Sequence, residues 1–369
     1  MGKRELLLMV VFVVLGVGVY QVTAPAAPAE GPGFSLSRFV QFAKAHFHGA
    51  QERRTVTRIA TLVPGAGLDT LAVSEFRGTI IVEGTDRPDV EVQLEAVLAG
   101  IDEEDLNLQE KDLGVALKAD GARATVDVTH GEHARRPRME LRIAVPRTLK
   151  AELTGRATAE VRGVAALHLA GYQGDLEVEG LSGPITGDMD NGRAEFGVGA
   201  TLDLRTSNVR LHAAAPRAVT VDAERGNTEI VDPAGPVTLK TDYARMEIRG
   251  TGGPVTVTGE GGVIHVRDVA HPLTIEAHRL TVTAELQQPV ATTIAIEDDT
   301  VELTLPRDGG LQLDASIQNG ALRVPDGFTT TRTGTTDAVA VAVAGGGPIV
   351  KVTVDRGELR IRSRATPGT

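Results

Sequence analysis

Between Ala157 and Ile275 the chain repeats itself about every 18 residues, each repeat carrying two short apolar-x-apolar stretches separated by Gly, Asn, Asp or Pro. The first arm reads Leu167-His-Leu169, Ile185-Thr-Gly187, Leu202-Asp-Leu204, Val219-Thr-Val221, Val237-Thr-Leu239, Val255-Thr-Val257 and Leu273-Thr-Ile275. Its successive starts lie 18, 17, 17, 18, 18 and 18 residues apart. The second reads Ala159-Glu-Val161, Leu176-Glu-Val178, Ala194-Glu-Phe196, Val209-Arg-Leu211, Thr228-Glu-Ile230, Met246-Glu-Ile248 and Ile264-His-Val266, stepping by 17, 18, 15, 19, 18 and 18. Side chains alternate faces along a strand, so each triplet points its flanking residues one way and its middle residue the other.

Turn residues fall between the arms, among them Gly180, Asn191-Gly192, Gly199, Gly226-Asn227, Gly250 and Gly261-Gly262. Gly and Asn tolerate the positive φ of tight corners. One rung of two short strands cannot bury its apolar side, whereas stacked rungs share a continuous core at roughly 4.8 Å per rung. The expected fold is therefore all-β, a β-solenoid of two-arm rungs. A meander of hairpins in a sandwich or barrel also suits turn signals at this spacing, but it does not require alternate strands to resemble each other.

With 369 residues, 42 Gly, no Trp, no Cys and few aromatics, the chain suits a narrow core of Val, Leu, Ile and Ala. The lack of Cys excludes disulfides, thiolate metal sites, cysteine nucleophiles and a lipidated cysteine anchor. A net charge of -11 disfavours a nucleic-acid partner.

Lys3 and Arg4 precede an uncharged apolar run from Leu6 to Val22. Positive charge stays on the cytoplasmic side, so the remainder is expected outside, held in the cytoplasmic membrane by a single transmembrane helix. Secretion after cleavage near Ala24-Pro25-Ala26 or Ala27-Pro28-Ala29 is the alternative. Beyond a Pro/Ala/Gly linker, Phe34, Leu36, Phe39, Val40, Phe42, Ala43 and Phe47 recur at near-helical spacing, with Arg38, Lys44, Arg53 and Arg54 among or after them. A short amphipathic helix is expected there, serving either as a membrane-surface element or as a cap on the stack. The expected organisation is an anchor over 1–22, a linker and stem over 23–54, the solenoid over 55–364 and a tail over 365–369.

Alternation continues at both ends without the clean count, as in Thr79-Ile-Ile-Val-Glu83, Met139-Glu-Leu-Arg-Ile143, Val301-Glu-Leu-Thr-Leu305 and Glu358-Leu-Arg-Ile361. Ile101 to Leu108 reads as a short helix or an acidic loop. Several runs here carry a family likeness: Met139-Glu-Leu-Arg-Ile-Ala-Val-Pro146, Gly174-Asp-Leu-Glu-Val-Glu-Gly180, Val301-Glu-Leu-Thr-Leu-Pro306, Gln318-Asn-Gly320 and the stretch from Gly345 to Ile361. Together they resemble the bacterial putative-adhesin domain of unknown function, over roughly Leu71 to Arg364. The resemblance implies an exported, Gly-rich, often membrane-tethered solenoid and supplies no catalytic residues. Pro348 and the Phe-rich stem depart from the family's pattern.

Three motifs are read structurally first. His130-Gly-Glu132-His133 offers metal-ligand types but lacks the helical i, i+4 pair of a metalloprotease. Asp188-Met-Asp190-Asn191-Gly192 starts like a calcium loop, lacks the later bidentate Glu, and suits a tight turn. A glycan-cleaving enzyme needs carboxylates paired across a groove, and Asp222, Asp242, Asp298 and Asp299 declare no such pair in sequence.

In-register rungs would line up the middle residues Glu160, Glu177, Glu195, Arg210, Glu229, Glu247 and His265, so the candidate surface ladder is Glu160, Glu177, Glu195, Glu229 and Glu247. Like charges at that spacing repel, which would draw in divalent cations or a basic partner unless Arg162, Arg193, Arg245, Arg249 and Arg267 neutralise them. The other arm lines up Thr186, Thr220, Thr238, Thr256 and Thr274, either a surface for ordered water or simply good strand residues.

The function expected is a non-catalytic binding, adhesin-like or scaffolding surface in the bacterial envelope, with no cofactor. Its partners are the membrane, through the N-terminal helix, and an envelope protein or glycan. Homo-oligomerisation, a self-assembling structural protein and a glycan-active enzyme stay open as alternatives.

Overall fold

The computed structural model describes residues 52–65, 67–131 and 137–363. The anticipated transmembrane helix, the Phe-rich stem before Glu52, the tail over 365–369, and Glu132 and His133 lie outside the described residues. Among the described residues no helix is long and apolar enough to cross a membrane.

Strands dominate. The N-terminal group comprises β1 (Glu52–Leu62), β2 (Thr70–Val73), β3 (Thr79–Thr85) and β4 (Val90–Gly100), then helix α1 (Glu103–Asp112). It continues with β5 (Gly114–Asp120), β6 (Arg123–Thr129), β7 (Arg138–Pro146), β8 (Lys150–Arg156) and β9 (Thr158–Arg162). The middle holds β10 (Ala166–Glu179), β11 (Pro184–Phe196), β12 (Thr201–Ala214), β13 (Ala218–Val231), β14 (Val237–Asp242), β15 (Arg245–Arg249), β16 (Val255–Val269) and β17 (Leu273–Leu286). Last come β18 (Thr292–Ile296), β19 (Asp299–Leu305), β20 (Leu311–Arg323), β21 (Thr331–Thr333), β22 (Thr336–Val343) and β23 (Ile349–Ser363).

From β8 to β17 the strands pair in parallel with their neighbours one repeat away. In one ladder Leu167, Ile185, Leu202, Val219, Val237, Val255 and Leu273 are successive partners. In the other, Ala159, Leu176, Ala194, Leu211, Thr228, Met246 and Ile264 are. Hairpin neighbours would pair antiparallel, so a meander does not describe this stretch. Long strands such as β11 and β12 serve both ladders by bending at a corner, where Asn191 and Asn208 take φ of 59° and 56°. There the Asn208 amide donates to Asn191 Oδ1 across 2.8 Å.

Alternation decides what is buried. Val219 and Val221 are buried while Thr220 between them is exposed, and Val237, Leu239, Ile248 and Val257 join the same core. Burying each such side chain contributes about 1.5–3 kcal/mol, which the polar turns do not oppose because they stay in water.

The ends lose the count because their rungs are not in chain order. β2 lies between β6 and β8, and β3 between β7 and β9. Likewise β23, last in sequence, pairs with β18 and β19 on one side and β20 on the other. Antiparallel strands finish each end: β1, β4 and β7 with β5 and β6 at the N-terminal side, β20 with β22 and β21 at the other. The acidic segment after Ile101 forms α1, longer than the sequence indicates. Asp102 caps it by accepting from the Asp105 amide, and Leu106 and Leu113 beside it enter the core. Arg53 and Arg54, which the sequence places in the stem, lie on β1 because β1 pairs with β4 along its whole length.

Candidate functional site

The second ladder carries the predicted acidic line on its outward face. Glu160, Glu177 and Glu195 are register partners, and so are Glu229, Glu247 and His265. Between the two groups stands His212, not Arg210. The correction has a simple cause. Val209, Leu211 and Ala213 are all buried, so two overlapping triplets fit the pattern, and only Leu211-His212-Ala213 keeps 17-residue steps to Ala194 and Thr228. Arg210 pairs instead with Arg193 and Asn227.

Arginines flank the acidic line. Arg162 pairs with Glu160, reaches Glu179 at 3.4 Å and Glu177 at 3.8 Å, and Arg193 holds Glu195 at 2.6 Å. Further along, Arg249 binds Glu247 at 2.9 Å and Glu229 at 3.7 Å, Arg267 lies 3.8 Å from Glu247, and His212 Nδ1 is 3.4 Å from Glu229. The Arg249 guanidinium, hydrogen-bonded to Glu247, holds that carboxyl below the usual glutamate range. These arginines offset much of the line's charge, with Arg162 shared among Glu160, Glu177 and Glu179 and Arg249 between Glu229 and Glu247, and among the described residues no group of three His, Asp or Glu side chains is arranged to hold a metal ion.

A cleft of about 670 Å³ opens at the corner where β8, β9, β10 and β11 meet, lined by Arg156, Thr158, Gln173, Asp175 and Asn191 over a floor of Gly78, Ala157, Gly174 and Gly192. A smaller one of about 250 Å³ shares Thr158 and Asp175 and extends to Thr79, Glu160, Glu177, Arg193 and Glu195. The N-terminal end of the glutamate line therefore forms one wall of a polar groove. Its floor is bare because the rungs touch there: a Cβ at Gly192 would collide with the Gly174 carbonyl oxygen, and one at Gly174 with that of Ala157. Beneath it the buried Tyr172 hydroxyl donates to Ala157 O at 2.8 Å and Asp175 O at 3.2 Å. Amide, hydroxyl, guanidinium and carboxylate groups converge, which suits a polar ligand held by hydrogen bonds. Sequence reasoning missed Arg156 and Gln173, since the groove arises from register shifts at Leu169/Tyr172 and Tyr172/Gly174 that no local pattern announces.

The remaining candidates disperse. Asp188 accepts from the Gly171 amide at 2.6 Å. His130 is described and lies beside the Gly131 carbonyl at 3.3 Å. Asp222 pairs with Lys240 at 3.2 Å and Asp298 with Arg356 at 3.0 Å, whereas Asp242 stands in register with Glu224 and Glu260 and Asp299 accepts from the Thr300 amide. In the first ladder Thr220, Thr238, Thr256, Thr274 and Thr293 are consecutive partners, with Asp203 separating them from Thr186.

No protein-family model matches the chain, and no curated protein does. Among solved structures it is similar to a putative adhesin from Parabacteroides merdae, at 12% identity and TM-score 0.30, covering 85% of this chain and 97% of that one. A putative lipid binding protein from Parabacteroides distasonis matches at 12% identity and TM-score 0.27, covering 84% and 97%. A putative adhesin from Bacteroides fragilis matches at 10% identity and TM-score 0.24, covering 84% and 97%.

Proposed function

We propose that this chain is a membrane-anchored, extracytoplasmic β-solenoid that binds an envelope protein or glycan through its outward face and corner groove, without turning it over. The observation that carries this reading is the run of in-register parallel pairs from β8 to β17. It repeats one outward position roughly every 4.8 Å, a template for an extended or repeating ligand. The polar groove beside Glu160, Glu177 and Glu195 supports a hydrogen-bonded partner. Lys3, Arg4 and the apolar run Leu6 to Val22 support export and anchoring. A binding role is favoured over catalysis because Glu160, Glu195, Glu229 and Glu247 are each engaged by a cation, and a carboxyl held below its usual range, as Glu247 is, makes a poor general acid.

The test is co-sedimentation of the detergent-solubilised full chain with lipid-stripped cell-wall polymer and, separately, retention on immobilised envelope proteins. Binding to one of these, lost in the triple variant Arg156→Ala, Gln173→Ala, Asn191→Ala, is expected. Absence of binding to both, or binding indifferent to that variant, would sink the assignment.

A further inference from the structure

The two ends of the ladders are finished differently. At the N-terminal side α1 packs Leu106 into the core, and the outermost strands carry charge: Arg53, Arg54 and Arg58 on β1, and Lys118 on β5. Charges on an edge discourage pairing with another chain. At the other side the second ladder stops at Arg323, which is bound to Glu358 at 2.7 Å. The first ladder stops on β22. Its early residues pair with β21, as Thr331↔Ala338, Arg332↔Asp337 and Thr333↔Thr336. Among the described residues, Val339 to Val343 pair only with β20.

That free edge reads Val339-Ala-Val-Ala-Val343, and no ionisable residue occurs from Ala338 to Pro348. The valines face the core and the alanines face away: Val339 is buried, Val341 and Val343 are half-buried, and Ala340 and Ala342 are exposed. Leu322, Val324 and Phe328 lie half-buried against the same unfinished end of the core.

We propose that β22 is a dimerisation edge on which a second copy of this chain pairs antiparallel about a two-fold axis through Val341. The strand is self-complementary about that residue, as an isologous interface requires. Val341 meets its counterpart, Val339 meets Val343, and Ala340 meets Ala342, so every apolar face matches and the two cores become continuous. Asp337 lies outside the matched stretch, paired with Arg332 on β21, and Val339 to Val343 carry no charge, so no like charges meet. Head-to-tail growth is disfavoured, because it would press this neutral edge onto the charged, helix-covered N-terminal side, and the assembly closes at two copies.

The test is sedimentation velocity of the full chain in detergent across a range of concentrations, beside the double variant Ala340→Lys, Ala342→Lys. Both alanines are exposed, so the variant keeps its core while setting ammonium groups opposite one another across the axis. Twice the single-chain mass for the native protein, and the single-chain mass for the variant at an unchanged melting temperature, are expected. A native monomer, a dimer that survives both lysines, or open-ended growth would each overturn the proposal. A second measurement does not depend on how the double variant folds. The chain has no Cys, so Val341→Cys introduces a unique thiol that meets its own counterpart on the axis, and mild oxidation should yield a covalent dimer. Ile59→Cys, at an exposed position on β1, should not. Equal cross-linking of the two would mark the contact as collisional and overturn the assignment.

Discussion

The Tyr172 hydroxyl donates to the Ala157 carbonyl across 2.8 Å, while the Ala157 amide donates to the Gln173 carbonyl across 3.1 Å, so β10 holds both polar groups of Ala157 where the ladder register breaks. The phenol replaces the backbone bond that the shift removes and braces the floor of the groove. Tyr172→Phe leaves a buried acceptor short of its donor and should cost about 1–3 kcal/mol in thermal or urea unfolding. Burial also pushes the Tyr172 phenol up. Its folded pKa lies above the unfolded one, so its contribution is complete below about pH 10 and is lost as pH rises beyond that. The Phe variant should lack this alkaline component of the slope.

Two glycines separate collision from backbone strain. Gly192 has φ of 144° and its missing Cβ would strike the Gly174 carbonyl, whereas Gly199 has φ of 80° and open space where a Cβ would sit. Gly199→Ala should cost about 1–2 kcal/mol for the left-handed backbone alone. Gly192→Ala must also push two rungs apart and should cost on the order of 3 kcal/mol or more. Equal losses in denaturant unfolding would remove the rung-contact argument for the bare groove floor.

The middle of the fold was legible because a period of 17 to 18 residues is a local signal, and local neighbours in the chain are the ladder partners from β8 to β17. The same logic explains where reading fails. β2, β3 and β23 insert between strands distant in sequence, so their partners leave no periodic trace. Arg210 was indistinguishable from His212 by polarity alternation, since each sits between buried residues, and only the register separates them. For the site, the glutamates were readable as the middle residues of their triplets. Arg156 and Gln173 were not, because they converge only after β10 shifts register around Tyr172.

Acid should weaken the charge stripe from Glu247 outward. Hydrogen bonding to Arg249, with Arg267 and His265 nearby, depresses this carboxyl in the folded state. A depressed folded pKa contributes stability that is present above the unfolded glutamate value and is lost as pH falls through the folded one. Melting temperature should therefore drop below about pH 4.3, and Glu247→Gln should reduce that drop while lowering stability at neutral pH. An unchanged acid slope in the variant would show that Arg249 does not stabilise the charged form.

His212 interrupts what would otherwise be an unbroken acidic line from Glu160 to Glu247. Its Nδ1 lies 3.4 Å from Glu229, and its register partners are Glu195 and Glu229. His212→Glu restores the unbroken line and should destabilise by about 0.2–1 kcal/mol, the scale of cross-strand side-chain pairs, because it places like charges opposite one another. Millimolar calcium should recover part of that loss and leave the native protein's melting temperature unchanged. Calcium sensitivity of the native protein would instead mean that its arginines fail to neutralise the line.

The α1 cap should matter more through its buried leucine than through its own helical stability. Glu103–Asp112 is short and strongly polar, and few of its side chains are buried, Leu106 and Gln109 among them. A helix of this length is marginal in isolation, so docking must hold it. Arg54 binds Glu110 at 2.8 Å and Asn107 at 2.7 Å, Arg58 donates to the Glu110 carbonyl at 3.0 Å, and Gln109 donates to the Ala99 carbonyl at 3.2 Å. All of these anchor the helix to β1 and β4. Leu106→Ala empties a buried site and should cost about 2–5 kcal/mol, whereas Asp102→Ala removes only the cap to the Asp105 amide and should cost about 1 kcal/mol. Hydrogen exchange distinguishes local from global loss. In Leu106→Ala the amides of β1 and β4 should exchange faster while those of β13 and β16 stay protected at the native level, because a stack of rungs passes stability only to nearest neighbours. Uniform loss of protection along the whole chain would mean that the stack unfolds as one unit and that α1 contributes to all of it.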